Sequence, residues 1–171
     1  MKYKFRLYPS EEIEKKLLWT FEQCCFVYNK LLGKLRMKKT IDNVRSRDVT
    51  DLKRYNKDLN EIYCSLLYGQ QNYLYNNWKD ANKQASDMKP KDPKDFRYLR
   101  FHTFGYKFRQ KKPGGDVFLV LSKIGRIPVE VDQDIEGMIK KVVIERDDSD
   151  QWFVSIVTGS YSPISAKRRS N

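Results

Sequence analysis

The chain has 171 residues, 40% hydrophobic and 33% charged, which suits a globular protein with one domain or two small, interleaved ones. No run approaches the roughly 18 apolar residues of a membrane span, and Met1-Lys2-Tyr3-Lys4-Phe5-Arg6 lacks the apolar core of a secretory leader, so a cytoplasmic protein without a membrane partner is expected. The net charge of +12 is uneven: +6 over residues 1–39, zero over 40–78, +7 over 79–112, −4 over 113–150, with Lys167-Arg168-Arg169 following. Two basic segments flanking a neutral one point to a polyanion-binding surface.

Residues 2–8 alternate, with Tyr3, Phe5 and Leu7 on one face and Lys2, Lys4, Arg6 and Tyr8 on the other, the pattern of a half-buried strand. Pro9 ends it. Ser10 then reads as a helix N-cap, with Glu11 and Glu12 complementing the dipole. The helix carries Ile13, Leu17, Phe21, Cys24, Tyr28, Leu31 and Leu35 at spacings of three and four. A second helix is predicted over 46–59 and a third over about 60–86. Pro90 and Pro93 punctuate a loop at 87–95. From Phe96 the period falls to two, giving five or six strands with turns at Pro113-Gly114-Gly115, Ser122–Gly125 and Asp147–Asp150. A first strand separated from its sheet by helices fits α+β with segregated helices, and a β-barrel whose wall residues 2–8 complete.

Catalytic chemistry finds little footing. His102 is the single histidine, and no paired nucleophile or acid lies near it. Cys24, Cys25 and Cys64 have no metal-ligand spacing, and the first two read as buried small hydrophobes. Asp132, Asp134 and Glu136 are the nearest approach to an acidic cluster, in a loop. No catalytic residue, metal site or cofactor is expected.

Phe5-Arg6-Leu7-Tyr8-Pro9, then Cys25-Phe26-Val27-Tyr28-Asn29-Lys30-Leu31-Leu32, then Leu121–Val129 and Ile135–Ile144 follow one another in a telling order. This combination resembles the TnpB (OrfB) proteins of bacterial and archaeal insertion sequences, from Tyr3 to about Val157. The resemblance implies an antiparallel, wedge- or OB-like β-barrel from residues 1–8 and 96–160. A helical recognition insert would occupy 9–88, and a basic tail 161–171. It also implies a grip on structured guide-type RNA, and recognition of a short duplex DNA motif. The family's Gly-Ile-Asp-Leu-Gly nuclease motif is absent where Ser162–Asn171 stand, and so is its zinc ribbon. A truncated, non-enzymatic member is therefore expected.

The candidate phosphate contacts are Lys4, Arg6, Asn29, Lys30, Arg100, Lys107, Arg109, Lys123, Arg126, Lys140 and Lys141. Of these, Asn29 reads more readily as a structural, helix-terminal hydrogen-bonding residue. Cys64, Ser65 and Tyr68 line up with the family's motif-reading positions, with Thr103 as their partner on the barrel. Tyr98, Phe101, Phe104, Tyr106 and Phe108 interleave with the cations and offer faces for base stacking, although only two or three should escape the core. The alternative reading is a protein-interaction module that binds a full-length relative through Phe153, Val157 and Tyr161, or a non-functional remnant.

Overall fold

The computed structural model describes residues 1–38 and 40–159. They form two compact units, one from Glu11–Arg97 and one from Met1–Ser10 together with the chain from Tyr98 onward.

In the helical unit, α1 spans Glu11–Lys38 and opens on Glu11, Glu12 and Glu14, which suit the positive end of its dipole. Its stripe of Leu17, Phe21, Cys24, Tyr28, Leu31 and Leu35 is buried, as the spacing predicts. Helix α2, Ser46–Tyr55, is shorter than the predicted 46–59, because Asn56 starts a 3₁₀ turn over Lys57–Glu61 by accepting from the Asp58 N–H at 3.2 Å. Helix α3, Cys64–Asp80, also ends early. Ala81 and Ala85 extend the apolar pattern, but Asn82 and Lys83 adopt left-handed backbone (φ 53° and 62°). The Lys83 N–H then reaches back to the Trp78 carbonyl at 2.9 Å, closing the helix end.

Three rings, Tyr28, Tyr73 and Phe96, meet at centroid distances of 5.1–6.2 Å and join α1, α3 and the end of the unit. Phe96, read from sequence as the start of the barrel segment, thus packs among the helices. The Tyr28 hydroxyl accepts from Asn77 Nδ2 at 2.9 Å, and burial raises its pKa. Burial also pushes the Cys24 thiol up to about 12 and raises that of Cys25, whereas Cys64 is exposed. Since the thiolate is the reactive form, iodoacetamide at pH 8 should modify one cysteine of three in the native protein. Mass spectrometry of the digest should place the label on Cys64. Rapid labelling of Cys24 would mean that α1 is not packed as described.

The second unit is a seven-stranded antiparallel sheet: β1 (Lys2–Leu7), β2 (Tyr98–Phe101), β3 (Tyr106–Gln110), β4 (Val117–Leu121), β5 (Gly125–Glu130), β6 (Met138–Arg146) and β7 (Trp152–Gly159). The spatial order is β2-β6-β7-β1-β5-β4-β3, so the first strand of the chain is the middle strand of the sheet. Its alternation gives the sheet two unlike faces. Tyr3, Phe5 and Leu7 join Leu99, Phe101, Leu119, Ile127, Val142, Ile144, Val154 and Ile156 in the core, and Lys2, Lys4 and Arg6 lie on the opposite face.

The sheet curls into a half-barrel, within the α+β class with a helical insert that the sequence predicts. β2 pairs only with Val142–Glu145, so the beginning of β6 has no strand partner on that side. There the Tyr106 hydroxyl of β3, the opposite edge strand, donates to the Ile139 carbonyl at 3.2 Å. A register shift between Ile139 and Lys141 marks a bulge at the same place, a device that bends a strand and steepens its twist. The edges are therefore drawn together by a side chain where the expected barrel would have a ladder. Gly137, just before β6, has φ 89°, and a Cβ there would fall 2.5 Å from the Gly159 carbonyl oxygen. Only glycine fits that approach.

Candidate nucleic-acid interface

A four-residue turn, His102–Gly105, carries the chain from β2 at one edge of the sheet to β3 at the other. The Gly105 N–H closes it on the His102 carbonyl at 2.8 Å, and the Gly105 carbonyl accepts from the Ser122 N–H at 2.9 Å. That second bond lays the β4–β5 turn alongside. Lys123 holds left-handed backbone there (φ 66°), while Ile124 is buried beneath and fixes the turn. On the other flank, Phe101 pairs with Val142, so one further step of the same register sets His102 opposite Lys141, next to Lys140 in the bulge.

This corner of the half-barrel therefore gathers Arg100, Thr103, Lys107, Lys123, Arg126, Lys140 and Lys141, which the sequence scatters over some forty positions. All but Lys141 are exposed, and Lys141 is half-buried. Arg126 stacks its guanidinium 4.0 Å above the Phe118 ring, and Phe118 pairs with Arg109 on β3, which extends the basic surface along that edge.

The other cations of this sheet face are more engaged. Arg100, Val143, Ser155 and Lys4 form a row across β2, β6, β7 and β1. Lys4 pairs with Glu145 at 3.1 Å and lies 4.7 Å from the Phe153 ring centre. Arg6 is half-buried, with its guanidinium carbon 5.2 Å from the ring of Tyr8 and 5.5 Å from that of Phe153. The Tyr8 hydroxyl donates to Glu130 at 2.6 Å, and that bond raises its pKa. Phe153 and Val157, candidates for an apolar docking patch, are half-buried, and Phe153 is roofed by Lys4 and Arg6. Tyr161 and the basic tail lie outside the described residues. The acids Asp132, Asp134 and Glu136 are exposed. Among the described residues, no group of three or more His, Cys, Asp or Glu is placed to hold a metal ion.

In the helical unit, Lys30 is exposed with its ammonium 5.5 Å from the Phe26 ring. Asn29 has an internal partner: its side-chain amide both accepts from and donates to the peptide of Lys91, each at 2.8 Å. Ser65 is half-buried, and the Tyr68 hydroxyl shares a hydrogen bond of 2.8 Å with Thr50 Oγ1 of α2. The Lys53 ammonium lies 5.9 Å from the Tyr68 ring. Thr50 and Lys53 thus join Cys64, Ser65 and Tyr68, and sequence reasoning missed both. The one signal for them was their spacing on the polar side of α2.

Residues 1–41 match the helix-turn-helix domain of the OrfB proteins of IS605-type transposons. The N-terminal region of this chain is thus similar to that OrfB domain. The matched domain is of a nucleic-acid-binding kind, which agrees with a basic sheet corner in the same chain. No curated protein matches the chain significantly. The described part of the matched stretch folds as β1 and a single helix, α1, so it contains no second helix of its own. Helix α2 begins only at Ser46, after a longer connection than the three or four residues of a DNA-reading helix pair. Among its described residues the matched stretch therefore carries no helix pair of the DNA-reading kind. No helix among the described residues is long and apolar enough to cross a membrane.

Proposed function

We propose that this chain binds structured, guide-type RNA through the corner of its half-barrel, with a short duplex DNA motif as a second ligand of the α2–α3 cluster. The reading assigns a binding role and no catalytic one, and it puts the protein's work in the cytoplasm. One observation carries it: separate turns and strands deliver six cations and the polar Thr103 to one corner. Phosphate contacts by such cations supply affinity and orientation, and a few base contacts supply preference.

The test is charge reversal at Lys123 and Arg126, both exposed on the β4–β5 hairpin, combined with a salt titration. Wild-type affinity for a structured RNA should fall steeply between 50 and 200 mM salt, by roughly tenfold or more if several phosphates are neutralised. The double variant K123E/R126E should bind at least about tenfold more weakly at low salt, with a shallower salt slope and an unchanged melting temperature. Unaltered affinity would remove the hairpin from the binding surface. Salt-insensitive binding would point to an apolar protein partner instead.

A further inference from the structure

Phe104 is 94% exposed, the most exposed large hydrophobic side chain among the described residues. Three of its four neighbours in the aromatic run are accounted for, and the fourth, Tyr98, is only 51% exposed. Phe101 is in the core, and Tyr106 gives its hydroxyl to Ile139. Phe108 is half-buried with its ring 6.2 Å from that of Tyr106. Phe104 contributes no comparable burial.

The turn that carries it is tied at Gly105 to both His102 and Ser122, with Gly105 itself buried. The backbone is thus held while the ring projects into solvent. Lys123 stands on the turn bonded to one side, and Lys140 and Lys141 lie on the strand next to the other. A phenyl ring can neither donate to nor accept from a base edge, so what it offers a nucleic acid is its face. Prising apart stacked pairs costs unstacking energy, whereas a base already unpaired can be met without that cost.

We infer that Phe104 stacks on a nucleobase left unpaired where a duplex ends, while Lys123 on one side and Lys140 and Lys141 on the other hold the flanking phosphates. The inference rests on the nucleic-acid reading above and adds the form of ligand this corner takes: a strand leaving a duplex.

The experiment compares two hairpins of identical stem, one blunt and one with a four-nucleotide single-stranded overhang, each made as RNA and as DNA. A 2-aminopurine stands at the first unpaired position. Phe104→Ala should weaken binding of the overhang hairpin by about five- to a hundredfold, the range expected for loss of one base–aromatic stack. Binding of the blunt hairpin should stay within about twofold, and the salt slope should not change, because the cations remain. Phe104→Trp should retain wild-type affinity. The 2-aminopurine fluorescence should fall on binding to the wild type and not to Phe104→Ala. A loss confined to RNA, or to DNA, supports the inference and identifies which strand is the ligand. Equal weakening of both hairpins, or of neither, overturns stacking while the salt-dependent binding of the wild type leaves the proposed function standing. A wild-type protein that binds no hairpin overturns both.

Discussion

Asn29→Asp should destabilise the helical unit by about 2–4 kcal/mol, although it changes a single side-chain atom and leaves the shape of the residue intact. The amide of Asn29 faces the peptide of Lys91 in both directions, accepting from its N–H and donating to its carbonyl at 2.8 Å each. The same carbonyl accepts from the Cys25 thiol at 3.1 Å, and Asn29 Nδ2 also lies 3.5 Å from the Cys25 sulfur. A carboxylate there would turn a donor into an anion against a carbonyl oxygen and a sulfur, in a site only partly open to water. For a chain of this size, a melting temperature lower by very roughly 5–15 °C is expected. Lowering the pH below about 5 should recover part of the loss, because the protonated carboxyl can donate again. Asn29→Ala should cost less, about 1–3 kcal/mol, since it removes both bonds without adding charge. The variants also separate the two roles the sequence offers Asn29. A structural residue lowers stability and leaves RNA affinity, measured below the transition, within about twofold. A phosphate contact would lower affinity at an unchanged melting temperature.

The second large effect is expected at Asp48. One carboxylate oxygen accepts from the Arg45 N–H at 2.8 Å, at the beginning of α2, and the other pairs with the Lys34 ammonium of α1. Asp48 is buried, and it is the third residue of its helix, where a negative charge also suits the helix dipole. Asp48→Ala leaves the Arg45 donor unsatisfied and the α1–α2 connection without its ion pair, at a cost of about 2–3 kcal/mol. The share due to Lys34 is the smaller one, because its side chain is 35% exposed and an unpaired ammonium there can be hydrated. Asp48→Asn should therefore recover roughly half of the loss by keeping an acceptor for Arg45. Chemical denaturation of the three proteins, compared at their transition midpoints, checks the order. Equal stability of wild type and Asp48→Ala would show that α2 does not depend on this contact.

What the sequence could and could not disclose follows from the range of the interactions involved. β1 was legible because alternation over six residues is a local pattern, and the buried stripe of α1 because spacings of three and four recur for six turns. The end of α3 was not, since Ala81 and Ala85 keep the apolar rhythm past the point where Asn82 and Lys83 turn left-handed. For Asn29 the structural role could be favoured but its partner could not be named, because Lys91 lies 62 positions further on. The basic corner was foreseen as residues but not as a place. Its assembly depends on the Ser122–Gly105 bond and on the pairing of Phe101 with Val142, both tertiary. Of the five aromatics in that stretch, burial leaves Tyr98 and Phe104 on the surface, a division that alternation alone could not make once the turn at 102–105 had broken the period.

The central position of β1 has a consequence for synthesis. Its neighbours on the two sides are β7 and β5, and without it the sheet falls into two three-stranded pieces, β2-β6-β7 and β5-β4-β3. Yet of the seven strands β1 is made first and β7 last, so at about 5–20 residues per second β1 waits roughly seven to thirty seconds for β7. The helices between can form in that interval from contacts close in sequence. A waiting strand with Tyr3, Phe5 and Leu7 on one side invites pairing with any other nascent chain. Lys2, Lys4 and Arg6 on its other side are the like charges that hold such chains apart. The alternation that later gives the sheet its basic face thus guards the newborn chain against aggregation.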